Sequence, residues 1–160
     1  MRFLYLLTLA ISFSTLELSA QCYDQKTIIS GNLKIFDRWV RQMPKSYNST
    51  AGYLKIQNMG ETEVELLRVE TNFSGGTEFH LMQEQYGVMK MIPVKKAINI
   101  PANSTKEMNP GGLHIMFTDI EIPLELTKNY QITLHFKAEG AIVTDMCVKD
   151  ISASSFWSKD

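Results

Sequence analysis

The sequence predicts an all-β domain, built as an antiparallel sandwich or a Greek-key barrel. Short runs of β-branched and aromatic residues recur along the chain, and strong helix signals are scarce. Turns containing Gly, Pro or Asn separate these runs at short intervals, as they do in sandwiches and barrels. The 160 residues are enough for one domain of this kind and a short leader.

Ten segments of the chain are predicted as strands. Residues 53–57 and 130–136 alternate apolar with polar side chains, which is typical of a strand with one buried face. Tyr86 and Gly87 are predicted to form a turn between two strands, whereas residues 74–76 (Ser-Gly-Gly) are predicted as a loop. The predicted strands cover residues 33–40, 53–57, 64–69, 77–82, 88–92, 97–100, 105–108, 113–117, 130–136 and 141–148.

The first twenty residues are interpreted as a signal peptide. Arg2 supplies a positive start, residues 3–13 form an apolar run too short to span a bilayer, and Ala20 offers a small residue for cleavage. An uncleaved membrane anchor is the alternative. A lipoprotein is disfavoured because Gln21, rather than a small residue, precedes Cys22. The predicted division is a signal peptide at 1–20, a domain at 21–152 and a short tail at 153–160.

The charge balance and the motif content argue against several classes of function. The chain has 16 basic and 17 acidic residues, so it offers no electrostatic reason to bind nucleic acid or an anionic membrane. It contains no His-Glu-x-x-His zinc motif, no Gly-x-Ser-x-Gly elbow and no phosphate-binding loop before a helix. We therefore expect a monomer that is not an enzyme and does not insert into the membrane after its signal is removed.

The mature chain has two cysteines, Cys22 and Cys147, which lie near its two ends. In the oxidising compartment that a signal peptide implies, they could pair and tie the N-terminal segment to the last strand. The sequence leaves open whether they pair or stay as free thiols.

Two of the three histidines belong to one short pattern, His-x-Met, at residues 80–82 and 114–116. Random placement would give roughly 0.2 such pairs in a chain of this composition, so two is an excess. A Met-x-Met pair lies between them at 89–91. Residues i and i+2 of a strand point to the same face, so each pair would project its donor atoms together. A hairpin at Tyr86 and Gly87 would bring the first two pairs along the chain onto neighbouring strands.

These donors favour a particular ion. Thioether sulfur is a soft ligand that selects Cu(I) over Zn(II), Mg(II) or Ca(II), and imidazole is compatible with it. Neutral His and Met ligands offer no anion to offset a second positive charge, which favours Cu(I) over Cu(II). Thioethers also cannot oxidise to a disulfide, as a pair of thiolates would in an exported protein. The alternative is that these methionines only fill the core.

Several stretches resemble the periplasmic copper chaperone family known as PCu(A)C, and they follow one another in the family's order. The most specific are His-x-Met, Val-Met-Lys-Met and Pro-Gly-Gly-x-His-x-Met. The matching stretches are residues 39–44, 51–54, 78–82, 87–91, 100–102 and 110–116.

The resemblance implies a cupredoxin-like Greek-key fold with one Cu(I) site at an end of the domain. The ligands that it implies are His80, Met91, His114 and Met116, with Met82 and Met89 as possible auxiliary ligands. It also implies a periplasmic protein that delivers copper to the dinuclear copper subunit of cytochrome c oxidase, or to a thioredoxin-like copper assembly protein. Some members bind a second copper through a His- and Met-rich tail, but residues 151–160 contain neither residue, so one site is predicted.

Two other functions stay open at this stage. A copper-buffering or resistance protein would use the same ligands without a client, and a β-sandwich of the adhesion or pilus type would bind no metal. A blue-copper electron carrier is disfavoured because no His or Met follows Cys147. His135 alternates with apolar neighbours and is expected on the solvent side of its strand, and packing is the favoured role of Met43.

Overall fold

Residue 22 and residues 26–150 are the part of the chain that the computed structural model describes. The predicted signal peptide and the predicted tail lie outside these residues. The described part is all-β, as predicted, and it contains no helix long and apolar enough to cross a membrane. Its strands are β1 (Ile28–Ser30), β2 (Leu33–Arg41), β3 (Thr50–Asn58), β4 (Val64–Thr71), β5 (Ser74–Gln85), β6 (Val88–Pro93), β7 (Ile98–Ile100), β8 (Ser104–Met108), β9 (Leu113–Ile120), β10 (Asn129–Phe136) and β11 (Gly140–Lys149).

The strands pair in the order β6-β5-β9-β3-β2-β11-β10-β4-β7, with β1 beside β2 and β8 beside β3. Every pair is antiparallel except β11 with β2, which run parallel, with Cys147 opposite Trp39. The prediction of an antiparallel sheet therefore holds apart from this one pair. Because β11 joins β2, the last strand of the chain lies beside its first long strand.

The apolar side of each alternating strand faces one shared core. On β10, Ile132, Leu134 and Phe136 are buried, and His135 between them lies on the more exposed side, as predicted. The centre of the core contains Phe73 against Phe117, with ring centroids 4.9 Å apart. Burial of such side chains is the main source of the fold's stability. The largest fully buried side chains are Phe73, Phe117, Leu33, Ile35, Leu54, Ile56, Leu66, Ile100, Met108, Ile115, Ile132 and Leu134.

One predicted loop is wrong, and one strand was not predicted. Residues 74–76 open β5, with Ser74 opposite Ile120 and Gly76 opposite Thr118. A Cβ on Gly76 would lie 2.5 Å from the Thr118 hydroxyl oxygen, so glycine here permits a close approach between strands rather than a turn. Strand β1 has only three residues, too few for a recognisable alternation. The other predicted strand ends differ from the observed ones by no more than three residues.

The predicted hairpin between β5 and β6 is present. Tyr86 and Gly87 have φ angles of 55° and 78°, and they connect the paired residues Gln85 and Val88. Two successive residues with positive φ form the kind of two-residue turn whose twist matches that of the flanking strands. The turn therefore fixes the register of β6 on β5, and β6 forms an edge of the sheet.

The open question about the cysteines is decided by the structure. Cys22 and Cys147 form a disulfide that joins residues 125 positions apart, with their Cα atoms 5.8 Å apart. Buried Arg38 reinforces the same region, because its guanidinium donates hydrogen bonds to the carbonyl oxygens of Lys26 (3.1 Å) and Asp145 (2.9 Å). The N-terminal segment is thus held to β2 and β11 by one covalent link and one polar contact.

We predict that Cys22→Ala lowers the free energy of unfolding by about 4 kcal/mol, because the crosslink closes a loop of more than a hundred residues. The substitution leaves the buried Cys147 in place, so the core keeps its volume. Urea unfolding with and without reductant measures the effect. Reductant should destabilise the parent and leave the variant unchanged; a parent that is equally stable in both conditions would contradict the prediction.

Candidate metal centre

Three neighbouring strands bring all six predicted donors to one face of the sheet. Strand β5 lies between β9 and β6 and pairs antiparallel with both. Residues directly opposite each other in such pairs share a face, and so do residues two apart along a strand. The opposed pairs on this face are His80 with His114, Glu78 with Met116, Met82 with Met91, and Glu84 with Met89.

The two histidines lie inside this row, between the Glu78–Met116 pair and the Met82–Met91 pair. Their ring centroids are 5.9 Å apart, and the rings meet edge to face. The His114 residue is only 3% exposed and the His80 side chain 15%. One nitrogen of each ring already has a partner: His114 Nδ1 contacts the Gly112 carbonyl oxygen at 3.0 Å, and His80 Nε2 contacts a Glu78 carboxylate oxygen at 2.7 Å.

The other nitrogen of each ring has no partner among the described residues. Both atoms, His80 Nδ1 and His114 Nε2, are shielded from solvent. A carbonyl oxygen can only accept a hydrogen bond, so His114 must carry its proton on Nδ1, which leaves the Nε2 lone pair free when the ring is neutral. A buried polar atom without a partner costs free energy, and a metal ion at these two atoms would remove that cost.

The methionines flank the histidines on both sides, Met116 on one side and Met82, Met91 and Met89 on the other. Met82 and Met116 are half-buried, whereas Met91 is 48% exposed and Met89 is 53% exposed. The backbone nitrogen of Met82 donates to the Gly112 carbonyl oxygen, away from β6, so Met82 and Met91 form a non-hydrogen-bonded pair. Side chains of such pairs lie closest together. The thioether side of the centre is therefore open to solvent while the imidazole side is covered.

An aromatic layer covers His114 from the side of β3 and β2. The ring of Tyr53 lies 6.3 Å from that of His114, and Trp39 stacks on Tyr53 at 4.3 Å. The guanidinium of Arg41 lies over Tyr53 at 5.5 Å. Burial lowers the pKa of His114, and the nearby His80 and Arg41 lower it further, although the Gly112 carbonyl opposes them. His114 is therefore a neutral ligand at neutral pH.

The donor set limits which ions fit. Across residue 22 and residues 26–150, no three or more His, Cys, Asp or Glu side chains cluster so that they could hold a metal. The donors that lie beside the two imidazoles on this face are thioethers. Neutral nitrogen and sulfur donors suit a soft, singly charged ion.

The structure brings all six predicted residues to directly paired positions on one face. His80 is opposite His114 and Met82 is opposite Met91, whereas Met116 and Met89 are each opposite a glutamate. Which of them bind an ion stays a prediction. The His and Met residues that were not predicted as ligands lie elsewhere. His135 is on β10, where its Nε2 is hydrogen-bonded to a Glu70 carboxylate oxygen at 2.8 Å, and Met43 follows the end of β2.

Two side chains next to the histidines, those of Glu78 and Tyr53, were not predicted from the sequence. Glu78 lies two residues before His80, so strand alternation alone places it on the same face and could have indicated it. Tyr53 lies on β3, and only the packing of β3 beside β9 brings it to His114.

The sequence matches one family model and is similar to a bacterial relative. Residues 33–148 match the family model described as "Putative lipoprotein LpqE-like". A putative lipoprotein of Leifsonia xyli subsp. xyli is 27% identical over 106 residues, which cover 66% of this chain and 64%, just under two thirds, of that relative.

Two solved structures share the fold. The copper-bound PCuAC domain from PmoF2 superposes with a TM-score of 0.67 at 22% identity, covering 78% of this chain and 98% of the domain. The Cu(I) form of DR1885 from Deinococcus radiodurans gives a TM-score of 0.56 at 22% identity, covering 78% and 81%. The predicted cupredoxin-like sandwich is thereby confirmed.

We predict that the metal-free protein loses stability as the pH falls below about 6.5, in part through His114. Burial lowers the pKa of this ring in the folded state, so the unfolded chain binds its proton first, and acid favours unfolding. A His114→Gln variant removes this contribution. Urea unfolding of both proteins between pH 7.5 and pH 5 should show a smaller decline for the variant. An equal decline of stability with pH in both proteins would show that His114 does not contribute to the acid sensitivity.

Proposed function

The chain belongs to the LpqE-like family, which is the PCuAC family, and from this premise we propose that it is an exported metallochaperone carrying one Cu(I) ion. One observation supports the proposal most strongly. Two shielded imidazole nitrogens without hydrogen-bond partners adjoin a row of thioethers on a single face. Buried polar atoms are usually paired, and a bound metal ion would provide the partner for both of these nitrogens.

We assign the ion to four ligands, His80, Met91, His114 and Met116, with Met82 and Met89 as auxiliary donors. Burial keeps His114 neutral and fixed, so the imidazole end holds the cargo. The methionines of β6 are exposed, so a donor atom from another protein can enter beside them and replace one thioether at a time. Tight binding is thus assigned to the buried imidazole, and release by stepwise exchange to the exposed thioethers.

The charges around the centre favour Cu(I). The proposed ligands are neutral, and the nearby carboxylate of Glu78 contacts His80. Arg41 lies behind His114 and adds a positive charge, which opposes a doubly charged ion more than a singly charged one. We therefore propose that Cu(II) binds much more weakly.

We further propose that the protein works in the periplasm. Its acceptors would be the copper subunit of cytochrome c oxidase, a thioredoxin-like copper assembly protein, or both. The disulfide suits an oxidising compartment. Because the sulfur of Cys22 is bonded to Cys147, this cysteine does not carry a lipid in the folded form. We propose that the chaperone is released after residues 1–20 are removed and that it works as a monomer.

We predict that a His114→Ala/Met116→Ala double variant loses more than about 100-fold in Cu(I) affinity, since loss of an outer partner alone typically costs about 10–100-fold. Titration against a Cu(I) chelator under reducing conditions measures it. The matched control is His135→Ala/Met59→Ala, which removes one imidazole and one thioether from outside the centre. Equal affinities of the two double variants would contradict the ligand assignment.

We also predict that a strain lacking the protein loses cytochrome oxidase activity when copper is scarce. The parent gene should restore the activity and the His114→Ala/Met116→Ala variant should not, because delivery requires the loaded centre. Respiration and copper content are the measurements. Copper sensitivity with normal oxidase activity would instead support a buffering protein that uses the same centre.

A further inference from the structure

Among the described residues, Glu78 is the only carboxylate that accepts a hydrogen bond from a proposed ligand. It lies on β5, two residues before His80, and its carboxylate oxygen is 2.7 Å from His80 Nε2. Across the strand pair it is opposite Met116, so it borders the centre on two sides. Its own side chain is 62% exposed, so Glu78 does not contribute to the packing of the core.

The contact determines which nitrogen of His80 carries the proton. A carboxylate only accepts hydrogen bonds, so the neutral ring must place its proton on Nε2. The lone pair is then on Nδ1, which is the atom shielded from solvent without a partner. Metal-bound histidines commonly donate their other N–H to a carboxylate or a carbonyl, which fixes the ring and its tautomer.

The two histidines of the centre are held in opposite ways. His114 donates from Nδ1 to the Gly112 carbonyl and leaves Nε2 shielded and unpaired. His80 donates from Nε2 to Glu78 and leaves Nδ1 shielded and unpaired. Two rings from adjoining strands, 5.9 Å apart, thus offer different nitrogens.

We propose that Glu78 is a positioning residue that makes Nδ1 the copper-binding atom of His80, while His114 binds through Nε2. This inference rests on the proposed function and names the atoms of the same centre. The role of Glu78 is orientation rather than charge, because an exposed ion pair contributes little by itself.

The chain supplies a matched control for this role. Glu84 lies on the same strand and the same face, six residues farther along, and it is also exposed. It is opposite Met89 rather than beside a histidine. Glu84→Ala therefore removes the same charge from the same face without removing the bond to His80.

The test is long-range ¹H–¹⁵N NMR of the histidine rings, with and without Cu(I), which is diamagnetic. In the metal-free parent we expect the proton of His80 on Nε2, and on Cu(I) addition the signals of His80 Nδ1 and His114 Nε2 should shift. In Glu78→Ala the two His80 nitrogens should give averaged signals, and Cu(I) affinity should fall about 10–100-fold. Glu78→Gln keeps an acceptor oxygen, so it should retain the tautomer and most of the affinity.

Three results would overturn the inference. One is a proton on Nδ1 of His80 in the metal-free parent, and another is copper binding that shifts His80 Nε2. The third is an equal loss of affinity in Glu78→Ala and Glu84→Ala, which would reduce the role of Glu78 to charge. Failure of the proposed function is a separate outcome: the parent would then bind no Cu(I), while the metal-free spectra would still report the tautomer.

Discussion

The candidate centre depends on the register of β5 against its two neighbours. His80 lies opposite His114 on one side, and Met82 lies opposite Met91 on the other. Because side chains alternate along a strand, a slip of one residue would turn the donors of the shifted strand to the other face. Two features hold the register: Phe79 and Ile115 are paired in the core beneath, and the two-residue turn at 86–87 sets β6. Core packing and the turn thus position the candidate donors.

Burial is graded across the centre, and the gradient matches what a carrier needs. The covered end contains His114, whose pKa is lowered by burial so that its lone pair stays available. The open end contains Met91, nearly half exposed on an edge strand. A ligand that is fully enclosed holds an ion but releases it slowly, because an acceptor cannot reach it. Placing the thioethers at the rim leaves a route for exchange.

The aromatic layer links the centre to the disulfide along the same face of the sheet. Tyr53 packs on His114 and Trp39 packs on Tyr53, while Cys147 pairs with Trp39 in register. Arg41 lies over Tyr53 and Lys149 over Trp39, which covers the rings with cations where the sheet meets solvent. The outer face of these central strands is therefore a packed surface, and it keeps water away from one side of His114.

The sequence by itself determined the strand content and the turn at Tyr86 and Gly87, because alternation and turn chemistry are local properties of the chain; the six donor residues stay predictions. It also placed each donor pair on one face. Only the tertiary structure decided which strands adjoin, since β9 begins twenty positions after the end of β6 in the chain, yet both flank β5. For the same reason Tyr53 beside His114, the parallel pairing of β11 with β2 and the Cys22–Cys147 bond became visible only in the fold. The loop predicted at 74–76 failed because glycine permits both a turn and a close approach of strands, and only the neighbouring Thr118 distinguishes them.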